Sequence, residues 1–238
     1  MSEWVQPGPG STIAFLSVVA FVVAALVAGV VWAGRRRGEP RARVGRRALA
    51  VAVGAALWLG VTALFAESEL MRGPGPPPPL MIFFAASMAV ALGEALSQLG
   101  LRLARVPLAA LVGFQVFRLP LELVLHEWHA QRVIPVQMTF EGHNFDIVTG
   151  VLAGALLLWA RLGDPPRAAY VLVNAVGMGL LLAVATIAVL SAPLPIKAYD
   201  TPDLLLALHA PYAWIVPFCV GGALAGHVVT LRALAADS

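Results

Sequence analysis

Charge is scarce in this chain: Asp, Glu, Lys and Arg together make up 12% of 238 residues, whereas 60% are hydrophobic. A water-soluble domain of this length needs more polar surface than that, so the composition argues for a helical membrane protein. Cysteine is almost absent. The one thiol, Cys219, excludes an intramolecular disulfide and leaves the redox compartment unread. It lies in the apolar run "IVPFCVGG", the setting of a packed core thiol rather than a nucleophile. A dispersed basic surface is missing too, although the net charge is +3. Seven arginines crowd into "RRRGEPRARVGRR" (35–47), between two apolar runs. That is how a cytoplasmic loop looks under the positive-inside bias, with weak attraction to anionic lipid headgroups. It is not a nucleic-acid stripe.

Long apolar runs are what the sequence has. Stretches near 20 residues fall at 12–34, 47–66, 79–99, 107–126, 146–163, 168–191 and 213–235, the fifth being the shortest and the fourth the most polar. Loops 35–47, 100–106 and 161–167, with the C-terminal end, hold twelve of the sixteen cations, and the opposite loops hold Arg72, Arg132 and Lys197. The expected architecture is all-α: one domain over 1–238, a seven-transmembrane-helix bundle with its N-terminus outside and C-terminus cytoplasmic. The first run reads as a spanning helix rather than a cleavable signal, because its positive charges follow it. "GPGPPPP" (73–79) reads as a stiff polyproline segment. In "TPDLLLALHAPY" (201–212), Thr201 as N-cap and Pro202 at the first position predict a short interfacial helix. Gly150 with Gly154, and Gly222 with Gly226, are small-residue pairs that let helices approach closely.

The fourth run carries the chemistry. In "FQVFRLPLELVLHEWH", residues 114–129, Gln115, Arg118, Glu122, His126 and His129 fall within roughly an 80° arc of a helix at 3.6 residues per turn. Arginine at mid-membrane is unfavourable by roughly 2.5–3.5 kcal/mol, so the stripe faces protein or water. The simplest partner for Arg118 is Glu122, one turn away. Pro120 between them removes a backbone hydrogen bond and predicts a kink. Ionisable groups at this depth point to a ligand, ion or proton site. Gln115, Arg118, Glu122, His126 and Asp146 are the candidate ligand-binding set. Arg118 suits an anionic or carboxylate-bearing ligand. Glu122, His126 and His129, with His143, also have the donor types of an open zinc site.

"MTFEGHNFDIVTG" (138–150) brings Glu141, His143 and Asp146 toward the outer side, with Asn144 as a candidate N-cap. That side carries eight acids against three cations. Glu94, Asn174 and His227 are the deeper polar groups. With Glu122, Arg118 and Gln115 they form either a proton or ion path or a set of interhelical hydrogen bonds.

Three resemblances follow from particular residues. Seven spans with an outside N-terminus resemble microbial rhodopsins, but the last run, "WIVPFCVGGALAGHVVTLRAL", has no lysine for a Schiff base, which excludes retinal. The chain shares a span count with zinc hydrolases related to alkaline ceramidases, but its last run offers only His227. "FRLPLELVLH", "IPVQMTFEGHNFDIVTG" and "AWIVPFCVGGALAGHVVTLRAL" resemble a group of uncharacterised bacterial inner-membrane proteins, which implies that membrane as the location. The expected function is an outward-facing polar intramembrane pocket that senses or translocates a small ligand or ion. A membrane-embedded metal-dependent hydrolase and a structural or assembly subunit of a membrane complex stand as alternatives. The bilayer is the one partner implied.

Overall fold

In the computed structural model, residues 3–73 and 75–236 are described. Among them there is no strand, and ten α-helices carry the fold. They are α1 (Pro9–Arg36), α2 (Arg41–Glu67), α3 (Glu69–Arg72), α4 (Pro79–Leu96), α5 (Gln98–Leu103), α6 (Leu108–Gly113), α7 (Arg118–Ala130), α8 (Ile147–Leu162), α9 (Arg167–Ser191) and α10 (Gly221–Ala236). Proline punctuates them. Pro40, Pro78, Pro107 and Pro166 immediately precede α2, α4, α6 and α9, where a missing N–H and a fixed φ favour a helix start.

Six helical segments are long and apolar enough to cross a membrane: Pro9–Arg36, Arg41–Glu67, Pro79–Leu96, Leu108–Ala130, Arg167–Ser191 and Tyr212–Ala236. They match six of the seven apolar runs. The fifth run forms α8, whose 16 residues extend about 24 Å, less than the ~30 Å of a bilayer's hydrocarbon core. Its brevity has a local cause. The chain preceding it, which holds the buried Gln137, Met138, Thr139 and Asn144, folds into the bundle instead of running over the top. Irregular backbone is tolerated at such depth only when protein surrounds it.

Half of the most apolar stretch is buried in the α6–α7 segment and in the C-terminal segment, which form the centre. α2 is peripheral, with only Val44, Thr62 and Ala66 buried. The main apolar core joins Phe15, Val18, Val19 and Val22 of α1 to Phe117, Leu121, Leu125 and Trp128. Gly150 sets the α7–α8 distance: a Cβ there would stand 2.6 Å from the Leu119 nitrogen. At Gly226 a Cβ would meet Gln115 Nε2 at 2.8 Å, whereas at Gly154 the nearest atom, Val116 Cγ2, is 3.5 Å away. The close-approach expectation holds at Gly150 and Gly226, and at Gly222, where a Cβ would stand 3.1 Å from Val22 Cγ1, but not at Gly154.

Both central segments interrupt their α-helical ladder. Phe114–Phe117 is a 3-10 turn between α6 and α7, and Val216–Val220 is a π turn before α10. Pro120 has no N–H for the Val116 carbonyl, so the break falls where the kink is expected. Pro217 sits inside the second interruption.

One loop expectation is corrected. The 201–212 segment is not a helix begun at Thr201. It is irregular, with a 3-10 turn at Leu206–Leu208 and a second opening at Tyr212, because Thr201 Oγ1 accepts from Gln137 Nε2 at 2.7 Å and its carbonyl accepts from Lys197 Nζ at 2.6 Å. The polyproline expectation at 73–79 includes Pro74, which lies outside the described residues; the rest leads irregularly into α4. Beside that end of the bundle, His209 stacks on Trp4 at 4.0 Å between ring centroids. At the arginine-rich end, Glu39 accepts from Arg102 Nη1 at 3.0 Å and also pairs with Arg47, tying the first loop to α5.

Candidate functional site

The polar stripe of α7 is buried where it is deepest. Gln115, Arg118 and Glu122 are at most 2% exposed, whereas His126 and His129 are half-buried at the helix end. A continuous cluster surrounds Arg118. Its Nε donates to Asp146 Oδ2 at 2.5 Å, and Nη2 is in ion-pair contact with the same carboxylate. Nη1 donates to the Gly177 carbonyl at 3.2 Å and to His227 Nε2 at 3.1 Å. Arginine only donates, so His227 Nε2 offers a lone pair and the ring is neutral with its hydrogen on Nδ1. That hydrogen reaches Asn174 Oδ1 at 2.9 Å. One guanidinium thus joins α7 to the start of α8, to α9 and to α10.

The i, i+4 pairing expected for Arg118 and Glu122 is therefore corrected. Arg118 turns to Asp146, 28 residues away. Glu122 instead receives the Asn144 amide, whose Nδ2 lies 2.9 and 2.8 Å from its two carboxyl oxygens. Asn144 does not cap α8 as expected. Its other donor reaches the Met138 carbonyl at 3.1 Å, and its Oδ1 accepts from the Asp146 backbone N–H at 3.1 Å. This local turn places Asp146 at the N-cap position of α8, where Thr149 Oγ1 donates to Oδ1 at 3.1 Å and the helix dipole favours the negative charge. The anion contact expected through Arg118 is thus largely filled from within the chain. Glu122 makes no ion-pair contact among the described residues.

The deeper set divides. Asn174 and His227 belong to the cluster. Glu94 does not: it lies on the exposed side of the last turn of α4, so the expected path through it is not assembled. Gln115 donates to the Ala223 carbonyl at 3.1 Å and locks α10 against the 3-10 turn. The metal candidates also separate. His126 stacks on Phe140 at 4.7 Å, His129 Nδ1 donates to the Ile134 carbonyl at 3.1 Å, and His143 lies 6.0 Å from the Tyr199 ring. Among the described residues, no three His, Cys, Asp or Glu side chains converge on a point where they could hold a metal.

Sequence reasoning missed three contributors: Asn144 as the partner of Glu122, Thr149, and Gly177. A Cβ at Gly177 would stand 2.6 Å from His227 Cε1 and 2.7 Å from Thr149 Cγ2, so the cluster closes only around a glycine. The short motif "HNFDIVT" held the first two.

Arg118, Glu122 and Asp146 are also the polar end of a cavity of about 350 Å³. Its walls are otherwise apolar, drawn from α4 (Leu80, Phe84), α7 (Leu121, Leu125), α9 (Leu181, Val184) and the π turn. Leu194, Leu204 and Leu206 line it from the loop after α9, covering the side where an open outer mouth is expected. A core cavity of roughly 150 Å³ admits benzene, so this one has room for a larger apolar body. No protein-family model, curated protein or solved structure matches the chain.

Proposed function

We propose that this is a seven-span bacterial inner-membrane protein that takes a small ligand into the cavity beside Arg118, Glu122 and Asp146, for sensing or translocation. The N-terminus lies outside and the C-terminus in the cytoplasm. Two observations support the topology. α8 runs antiparallel along α7 and α6, with Gly150 against Leu119 and Leu157 against Gly113, so the buried loop and α8 together make the seventh crossing. The exposed arginines Arg35, Arg36, Arg41 and Arg43 then share a face with the C-terminal end.

One observation carries the ligand reading: a cavity of ligand size has a single polar end, and ionisable groups buried at 1–4% exposure line it. A photoreactive aliphatic diazirine tests it on purified protein in phosphatidylcholine nanodiscs. Adducts on Leu121, Leu181 and Val184, lost when Ala188→Trp fills the space, are expected. Adducts confined to outward residues such as Leu49 and Leu64 of α2 would overturn the reading.

A structural role is the second reading. The Arg118–Asp146 and His227–Asn174 contacts tie four helical elements together whether or not a ligand binds. In that case filling the cavity leaves the host membrane complex assembled, while removing Arg118 dissolves it.

A further inference from the structure

We propose that the cavity's occupant is a single-chain amphiphile with a cationic amine head, drawn sideways from the bilayer, its chain between α4 and α9 and its ammonium on Glu122. This rests on the ligand reading above and names the class of ligand.

The head follows from the charges at the polar end. Arg118 and Asp146 cancel within their ion pair, and Arg118 commits Nε and both Nη1 hydrogens to Asp146, Gly177 and His227. Glu122 is 1% exposed and, among the described residues, has only the neutral Asn144 amide on its oxygens. A carboxylate so far from water is costly without a counter-charge. An ammonium group supplies that charge and up to three donors, and a carboxylate oxygen has lone pairs left beyond the amide. An anionic head would instead face two acids and a guanidinium that is already neutralised.

The chain follows from the walls. Beyond Arg118, Glu122 and Asp146 the lining consists of Leu, Met, Phe, Ala, Val, Ile and one buried cysteine, with no group to hold a second polar centre. The entry route follows from which lining residues keep exposure. Met81, Phe84 and Ala85 on α4, and Ala185, Ala188 and Val189 on α9, lie at the rim, and all are apolar. α4 and α9 both pack on α10 and flank the cavity, so their gap faces the hydrocarbon of the bilayer. A lipid-side doorway admits molecules already dissolved in the membrane.

The test is competition against diazirine labelling in phosphatidylcholine nanodiscs, with four probes of equal chain length: a primary alkylamine, its N-acetyl derivative, the alcohol and the fatty acid. The amine should compete at concentrations at least about tenfold lower than the other three, a factor that corresponds to about 1.4 kcal/mol. Glu122→Gln, which keeps an acceptor for Asn144, should erase that advantage and leave the hydrocarbon labelling intact. If the variant does not fold, the comparison of amine with acetylated amine on the unaltered protein decides alone. A fatty acid that matches or beats the amine, or an amine advantage that survives Glu122→Gln, overturns the proposal. Absence of internal labelling before any competitor is added would overturn the ligand reading itself, so the two failures are distinguishable.

Discussion

Replacing Asp146 with leucine strands a guanidinium that is 1% exposed. Breaking one side of a buried ion pair costs about 3–5 kcal/mol, because the remaining charge has no partner and no water. Thr149 Oγ1 also loses its acceptor on Asp146 Oδ1, which adds about 1 kcal/mol. The single substitution should therefore destabilise by roughly 4–6 kcal/mol on these terms. Arg118→Met with Asp146→Leu removes both charges. What remains is the lost Thr149 acceptor, about 1 kcal/mol, and the loss of a donor to the Gly177 carbonyl and to His227 Nε2, about 1–3 kcal/mol each when unsatisfied. The double variant should lose roughly 3–7 kcal/mol, far less than the two single losses added together, with a coupling energy of at least about 2 kcal/mol in a double-mutant cycle. The assay is unfolding in mixed micelles by titration with dodecyl sulfate, followed by far-ultraviolet circular dichroism. Two results would refute the reasoning: Asp146→Leu within about 0.5 kcal/mol of the unaltered protein, or single-site effects that simply add.

Two further predictions rest on other parts of the molecule. Gly150→Val should loosen the α7–α8 contact and cost about 1–3 kcal/mol or more, since its Cβ would meet the Leu119 backbone at 2.6 Å, whereas Gly154→Ala should be nearly neutral; equal effects in the same unfolding assay would contradict the packing. His209 is held below the ordinary imidazole value of about 6.5, first by burial and then by Arg72. Its folded pKa is depressed, so the Trp4–His209 stack contributes its full stability above the unfolded pKa, and that contribution falls as the pH drops toward the folded value. The emission difference between the unaltered protein and Trp4→Phe should titrate below pH 6.5, and a midpoint above it would show that the pair does not stack as described.

The spans were legible because hydrophobic length is a local property: six of seven apolar runs became helices of crossing length. The buried face of α7 was legible for the same reason, since residues three and four apart share a face in any helix. Arg118's partner was not. Local spacing nominated Glu122, but the choice was made by a loop that returns into the bundle and presents Asp146 and Asn144 together. Nothing in the periodicity of "EGHNFD" says that Asn144 and Asp146 are buried while Glu141, His143 and Phe145 stay exposed, because its polarity is that of an ordinary surface loop. Glu94 misled in the opposite direction: an acid inside an apolar run looked internal, yet its position on α4 turns it outward. The cavity was invisible from sequence, because apolar walls and apolar packing use the same residues.

The distance along the chain between Arg118 and Asp146 has a consequence for biogenesis. When α7 leaves the ribosome, its arginine enters the insertion machinery 28 residues ahead of the carboxylate that neutralises it. α8 is shorter than the hydrocarbon core and carries that carboxylate at its N-cap. Insertion of α7, the loop and α8 as one hairpin would bring the two charges into the lipid already paired. In a chain stalled when Gln131 has just cleared the ribosome, a cysteine placed at the outward-facing Leu123 should react with a water-soluble maleimide, and in one that has cleared Leu162 it should not.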